Sequence, residues 1–227
     1  MRVGVFGTGG VGQTLAGKFA ELGHEVMVGT RDPEATLAKT MSDQPWVPAF
    51  GVWAAEHVDV KVGTFEETAK HGELLVNATH GQASLEVLAA AGDDNLAGKI
   101  LLDVSNPLDF SKGMPPTLSV VNDDSLGEQI QRAHPDAKVV KTLNTVSAPV
   151  MIAPGSIGDG DHAVFVGGND AGAKQEATRI LQEWFGWREV IDLGDITTSR
   201  GTEMYLALWI RLMAVLGGPN FNVRFVR

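Results

Sequence analysis

Six residues near the N-terminus carry the strongest chemical signal in the chain: Gly7, Thr8, Gly9, Gly10, Val11 and Gly12. Glycines spaced G-x-G-x-x-G bring a backbone close to a pyrophosphate. The first allows a tight turn, the second lets the main chain approach the phosphates, and the third lets helix and strand pack closely. The context matches this reading. Arg2 to Phe6 is an apolar run of strand length, Val11, Leu15, Phe19 and Leu22 then recur at helical spacing, and Gly23 follows as a C′ residue. The start of such a helix offers free N–H groups and the positive end of its dipole to an anion. A glycine-rich turn without a ligand is the bland alternative, and the strand–turn–helix order argues against it.

The end of the next predicted strand, Glu25 to Gly29, decides which dinucleotide fits. An NAD site needs an acid there to hold the ribose hydroxyls. This chain has Thr30 and Arg31, a hydroxyl and a guanidinium suited to the 2′-phosphate of NADP. Hydrogen bonds to charged groups contribute roughly 1.5–3 kcal/mol, a preference of about ten- to hundredfold. Asp32 reads as the N-cap of the following helix, with Pro33 at its first position; a ribose-binding acid is its other reading.

Three further side chains are candidates for catalysis. His80 follows a predicted strand end in Asn77-Ala78-Thr79-His80-Gly81, where it could move a proton or simply be solvated. Lys141 and Asn144 lie at another strand end and could polarise a carbonyl or imine; for Lys141 a surface ion pair is the alternative. The chain has no Ser-x-x-x-Tyr-x-x-x-Lys set. Its six His show no H-x-H or H-E-x-x-H spacing, so no metal site is expected.

These residues need a scaffold, and the rest of the chain supplies its pattern. Strands are expected at 58–62, 73–77, 99–104 and 138–143. Helices are expected at 32–40, 82–91 and 125–133, with a capping box at Thr64-Phe65-Glu66-Glu67. This alternation predicts a doubly wound parallel sheet of Rossmann type over residues 1–145. Residues 146–227 read as a small C-terminal α/β portion, with strands at 162–166 and 189–193 and helices at 170–185 and 201–216. In the last helix, Arg200 and Glu203 read as an i,i+3 pair. Met204, Leu208, Trp209 and Leu212 form an apolar set for a core or a dimer face. Residues 42–57 read as irregular; within them 45–53 (PWVPAFGVW) is a packed aromatic loop or, alternatively, a lid.

Composition excludes other classes. With no Cys there is no disulfide, no Cys-ligated metal and no thiol nucleophile. A net charge of −10 gives no general attraction to nucleic acid or anionic lipid. The longest apolar stretch, 204–217, contains Arg211 and is too short to cross a bilayer. No apolar segment of signal-peptide type opens the chain, so a cytoplasmic protein is expected. Residues 200–227 carry four Arg against Glu203 alone, a basic end that would help neutralise an anionic ligand.

Longer runs extend the picture: GTGGVGQTLAGKFAELGHEVMVGTR at 7–31, LLDVSNP at 101–107, VVKTLNTVSAP at 139–149, FVGGND at 165–170 and DLGDITTSRGTEMYLALWIRLM at 192–213. Over nearly the whole chain the sequence resembles the coenzyme F420-dependent NADP oxidoreductases, which also resemble the cytoplasmic reductase domain of membrane ferric reductases. The resemblance implies hydride transfer between NADPH and F420, a deazaflavin with an anionic tail, or a flavin-like acceptor. It implies that Gly7, Thr8, Gly9, Gly10, Val11 and Gly12 hold the pyrophosphate and that Thr30 and Arg31 hold the 2′-phosphate. Ala78, Thr79 and His80 would line the path from adenosine to nicotinamide, and Asn144, Thr145, Val146 and Ser147 would lie near the nicotinamide. A homodimer is implied as well. Some relatives place a second basic residue four positions after the arginine; here that position is Ala35, and Lys39 would have to substitute. Reduction of a small imine or carbonyl, and redox sensing without catalysis, are the alternative functions.

Overall fold

Five short apolar segments rich in Val, Leu and Ile pair side by side to form the centre of the molecule. The computed structural model describes residues 1–42 and 46–226. Its strands are β1 (Arg2–Phe6), β2 (Glu25–Thr30), β3 (Lys61–Thr64), β4 (Leu74–Asn77), β5 (Ile100–Asp103), the two-residue β6 (Leu108–Asp109) and β7 (Thr117–Leu118), then β8 (Lys138–Thr142), β9 (Ala163–Gly167) and β10 (Glu189–Asp192). Eight of them form one sheet in the order β10-β9-β8-β5-β4-β1-β2-β3. From β3 to β8 the neighbours are all parallel. Those six strands have the 3-2-1-4-5-6 order of a Rossmann sheet. The chain leaves β1 toward one edge and returns at β4 on the other side, so the strand order reverses between β1 and β4. Beyond β8 the direction inverts: β9 runs antiparallel to it and β10 parallel to β9. Residues after 145 thus extend the same sheet.

Among the described residues the α-helices are α1 (Gly10–Glu21), α2 (Pro33–Leu37), α3 (Phe50–Glu56), α4 (Phe65–His71), α5 (Ser84–Ala91), α6 (Asp93–Leu96), α7 (Leu126–Ala133), α8 (Ala148–Ile152), α9 (Ala171–Arg179) and α10 (Ser199–Val215). They cover the sheet on both faces, because side chains alternate along each strand. Val3, Val5, Leu74, Val76 and Val140 point to the face covered by α1, α8 and α9, where they meet Leu15, Phe19, Val150 and Ile180. Phe6, Leu75, Leu101 and Val139 point to the other, where they meet Leu88 of α5 and Ile130 of α7.

Local signals place several helix starts. Asp32 accepts from the Ala35 N–H at 3.0 Å and so caps α2. The Thr64–Glu67 capping box is complete. Ser125 accepts from Glu128 N at 3.2 Å and starts α7. The predicted 170–185 helix is α9 followed by a wider π turn at Ile180–Trp184. One region differs from expectation. Within the stretch expected to be irregular lies α3, which buries Phe50 and Trp53, while Trp46 is 81% exposed. Of the 45–53 segment, Pro45 lies outside the described residues; Phe50 and Trp53 follow the packed-loop reading. Among the described residues no helix is long and apolar enough to cross a membrane.

The C-terminal tail folds back on the sheet. Val223 accepts from the Ala163 N–H at 3.2 Å, Asn222 Nδ2 donates to the Ala163 carbonyl at 2.8 Å, and Phe221 stacks on Trp209 with centroids 5.3 Å apart.

The turn after α1 generates a prediction. His24 packs on Trp184 with ring centroids 4.3 Å apart, and its Nε2 is buried without a partner. Burial first, then the positive N-terminus and Arg179, hold its pKa below the usual 6.5. A depressed histidine stabilises the fold at pH values above its unfolded pKa, and this contribution is lost as pH falls through the folded value. The urea midpoint is therefore expected to fall as pH is lowered from 7.5 to 5. In His24→Phe, which keeps the ring contact, that part of the decline is expected to disappear.

Candidate functional site

The loops at the carboxyl ends of the parallel strands converge beside the strand-order reversal, the general location for ligands in open α/β sheets. The glycine loop comes first. Gly7 has φ +118°, a conformation that favours glycine. At Gly12 an added methyl carbon would lie 2.0 Å from the Gly7 carbonyl oxygen, so the third glycine is required for packing. Gly9 behaves differently. It is exposed, it is the N-cap of α1, and a methyl carbon there would meet nothing within 4 Å. α1 begins without a side-chain cap and without an acid in its first turn, leaving its dipole end available to an anion. One flank is closed by residues 47–48. Val47 lies 2.9 Å from where a Gly10 methyl would be, and buried Gln13 donates to the carbonyls of Thr8 and Pro48 at 3.0 and 3.1 Å. Gln13 is a tie that the sequence pattern of Val11, Leu15, Phe19 and Leu22 does not single out.

At the end of β2, Thr30 is buried and its hydroxyl is 2.8 Å from that of Thr36. Arg31 is exposed, and its Nη2 donates to Glu86 Oε1 at 3.2 Å, with both side chains more than 70% exposed. Asp32 serves α2 as cap, and Lys39 is exposed.

The loops after β4, β5 and β8 are joined by a buried polar network. Asn77 Nδ2 donates to Asp103 Oδ1 at 2.9 Å and to Ser84 Oγ at 3.1 Å, while its Oδ1 accepts from the Thr79 hydroxyl at 2.7 Å. Lys141, 2% exposed, donates to Asp103 Oδ2 at 2.9 Å, to the Ser105 carbonyl at 2.7 Å and pairs with Glu203 Oε1 at 2.7 Å. These contacts take all three ammonium N–H donors. Burial would lower its pKa, but the carboxylates of Asp103 and Glu203 outweigh it and hold the ammonium above its usual value. Lys141 is thus a buried tie, not the surface pair that was its alternative reading, and it has no N–H left to give to a substrate. Glu203 does not pair with Arg200 either. It accepts from the N–H groups of Leu126 and Gly127 at 2.8 and 2.9 Å, and Arg200 forks onto Glu128 at 2.8 and 2.6 Å.

Asn144 is 4% exposed and clasped to Asn106: each donates its amide to the other's loop, at 3.0 Å to Asn106 Oδ1 and 2.8 Å to the Asn144 carbonyl. Leu143 before it has φ +59°, a conformation that costs a bulky residue of order 1–3 kcal/mol and persists only where the surroundings enforce it. Thr145 is buried with an unpartnered Oγ1, Val146 is buried in the core, and Ser147 Oγ donates to Asn220 Oδ1 of the tail at 3.1 Å. Ala78 and Thr79 are half-buried. His80 is exposed, its ring 5.8 Å from that of Phe110, which lies between β6 and β7. Asn77, Asp103, Ser105, Asn106 and Glu203 are the network residues the sequence reading did not assign to the site. The D-x-S-N run after an apolar strand was the visible signal. No His, Cys, Asp or Glu group able to hold a metal occurs among the described residues.

The available groups fit a dinucleotide. Gly9 leaves open space at the uncapped N-terminus of α1 that a side chain would occupy, and Thr145 holds a buried hydroxyl without a partner.

Comparison with known proteins agrees with that geometry. Residues 2–107 match the family described as NADP oxidoreductase coenzyme F420-dependent. The crystal structure of a candidate F420-dependent NADP-reductase from Arthrobacter sp. FB24 superposes with a TM-score of 0.95 at 57% identity, covering 100% of both chains. The F420-dependent NADP reductase of Methanothermobacter marburgensis is 26% identical over 93% of this chain and 92% of its own. Metalloreductase STEAP3 of Rattus norvegicus is 27% identical over 93% of this chain. The chain spans 37% of that metalloreductase and 49% of another curated relative that it matches.

The glycines separate binding from folding. Gly9→Val is expected to keep the wild-type melting temperature, because nothing surrounds the position, and to abolish NADPH binding in a fluorescence titration. Gly12→Ala is expected to lower the melting temperature, because the new methyl collides with the Gly7 backbone.

Proposed function

Since the chain belongs to the family of coenzyme F420-dependent NADP oxidoreductases, and is an NADP-dependent oxidoreductase, we propose that it transfers hydride between NADPH and coenzyme F420 or a flavin-like ring. The observation that carries the cofactor half is at the end of β2. The exposed cation there is Arg31, while the adjacent carboxylate of Asp32 is engaged as a helix cap. A 2′-phosphate would meet a guanidinium, whereas the adjacent acid already serves the start of α2. The acceptor half is supported by the 57% identity over the whole length of the Arthrobacter chain.

In this reading Gly7 to Gly12 hold the pyrophosphate on the N–H groups of α1. Thr30 and Arg31 take the 2′-phosphate, Ala78 to His80 line the middle of the groove, and Asn144 to Ser147 face the nicotinamide. Residues 1–145 hold the nucleotide and 146–227 complete the acceptor side. Bound NADPH supplies the hydride. The protein's part is to hold two rings at contact distance with their faces aligned, which places the catalytic demand on positioning rather than on an acid–base pair. The buried Asn106–Asn144 clasp and the enforced conformation at Leu143 suit that demand. Lys141 gives no proton in this scheme, which leaves the imine-reductase alternative with His80 as its donor. A second copy docks on α10, whose Met204, Leu208 and Val215 are exposed.

The decisive assay follows NADPH oxidation with F420, FMN and FAD offered in parallel and NADH as the paired control. Turnover with F420 and NADPH is expected; tight NADPH binding without turnover on any ring would refute the acceptor. Arg31→Ala is expected to weaken NADPH at least tenfold and NADH little. Glu86→Gln frees Arg31 from its exposed partner. Exposed pairs contribute about 0.2–1 kcal/mol, so NADPH is expected to bind up to about fivefold more tightly, with NADH unchanged and the gain lost at high salt.

A further inference from the structure

We propose that Glu203, in the last helix, is a positioning residue for the nicotinamide half of the site. The inference rests on the reading above, in which the loops after β5 and β8 flank the nicotinamide. Glu203 lies 1% exposed in α10, and its carboxylate accepts three hydrogen bonds. Two come from the first N–H groups of α7, Leu126 at 2.8 Å and Gly127 at 2.9 Å. Ser125 takes the third helix N–H, that of Glu128, at 3.2 Å. The third hydrogen bond to Glu203 comes from Lys141, at 2.7 Å from Oε1.

Lys141 passes the constraint on. Its ammonium also holds Asp103 Oδ2 and the Ser105 carbonyl, at 2.9 and 2.7 Å. Ser105 is followed by Asn106, and Asn106 is clasped to Asn144 by two hydrogen bonds. One charged chain of contacts therefore runs from α10 through Lys141 to the pair of loops assigned to the nicotinamide. None of these contacts reaches the glycine loop, Thr30 or Arg31. The branch toward the glycine loop is indirect, from Asp103 through Asn77 to Ala78 beside Gly7, so a defect at Glu203 has to weigh on the nicotinamide half of the dinucleotide more than on the adenosine and pyrophosphate grips.

Glutamine cannot replace it. A carboxamide has one acceptor oxygen, and its NH2 would face either an N–H of α7 or the ammonium of Lys141, a donor against a donor. Aspartate keeps the charge and shortens the reach by one methylene, so it cannot serve α7 and Lys141 together.

The test compares NADPH with 2′-phospho-ADP-ribose, the fragment of NADP that lacks the nicotinamide, in the full-length protein and in Glu203→Gln and Glu203→Asp. For both variants the fragment is expected to bind within about twofold of wild type. NADPH is expected to lose about tenfold in affinity, together with the emission shift of its bound reduced nicotinamide. A merely structural role would lower the melting temperature and leave the gap between NADPH and fragment intact, overturning the proposal. Parallel weakening of both ligands would overturn it as well. Should Glu203→Gln not fold, the charge-conserving Glu203→Asp decides by the same criteria. In wild-type protein, equal affinity for the two ligands with no emission shift would refute the nicotinamide assignment of the loops and the proposal with it. A wild-type gap that persists in the variants refutes the proposal alone.

Discussion

A lysine with no exposure to water must either lose its proton or be surrounded by acceptors, and Lys141 is surrounded. Removing one partner from such a buried pair costs about 3–5 kcal/mol, because the remaining charge cannot be solvated. This constraint reaches far, since the acceptors come from separate elements. Asp103 closes β5, Ser105 lies in the loop after it, and Glu203 belongs to α10. Glu203 in turn satisfies the start of α7, whose first N–H groups would otherwise be buried and unpaired. The sheet, α7 and α10 are thus joined at one cation. The fork of Arg200 onto Glu128 holds α10 to α7 a second time.

The opposite end of the groove follows another logic. Around the glycine loop the structure withholds side chains and charges. Gly9 is open on all sides, and the first turn of α1 carries no acid. Arg31 stands on the surface with only an exposed partner. The positive end of the α1 dipole is therefore uncompensated by an acid of its own first turn, and the nearby Glu86 carboxylate is held on Arg31. In the proposed reading one end grips by main-chain N–H groups and a surface cation, and the other is rigid and buried. On that proposed assignment, tight packing at the reacting end and accessible electrostatics at the holding end are the arrangement expected where binding energy from a remote part of a ligand positions its reacting ring.

What was legible in the sequence was local. The glycine spacing, the Asp32 cap, the Thr64–Glu67 box and the alternation of strands and helices each arise from residues a few positions apart, and each is present in the structure. The Rossmann sheet followed from them. The aromatic stretch was harder: its Pro and Gly content conceals α3, which exists because Phe50 and Trp53 find a surface to bury. The ion network was not legible. Arg200 and Glu203 lie three apart on a helix, where a local pair is the natural expectation, yet their partners are 72 and 62 positions away in sequence. Whether an acid at a strand end faces water or a lysine depends on which strands become neighbours, and Asp103 meets Lys141 only because β5 pairs with β8 in register.

That register has a consequence for the chemistry. β8 is the last strand of the parallel set, and its partner on the far side, β9, runs the other way. After Thr142 the chain leaves the sheet through Leu143, in a left-handed conformation that a leucine adopts only under constraint. The constraint is visible on both sides of the turn: Thr142 donates its hydroxyl to the Phe165 carbonyl at 2.7 Å, and Asn144 is clasped to Asn106. A loop fixed at both ends in this way cannot drift relative to β5. For the proposed hydride transfer, whose rate depends on the distance and alignment of two rings, a wall that resists displacement serves better than one that adapts, and the turn held on both sides after β8 supplies it.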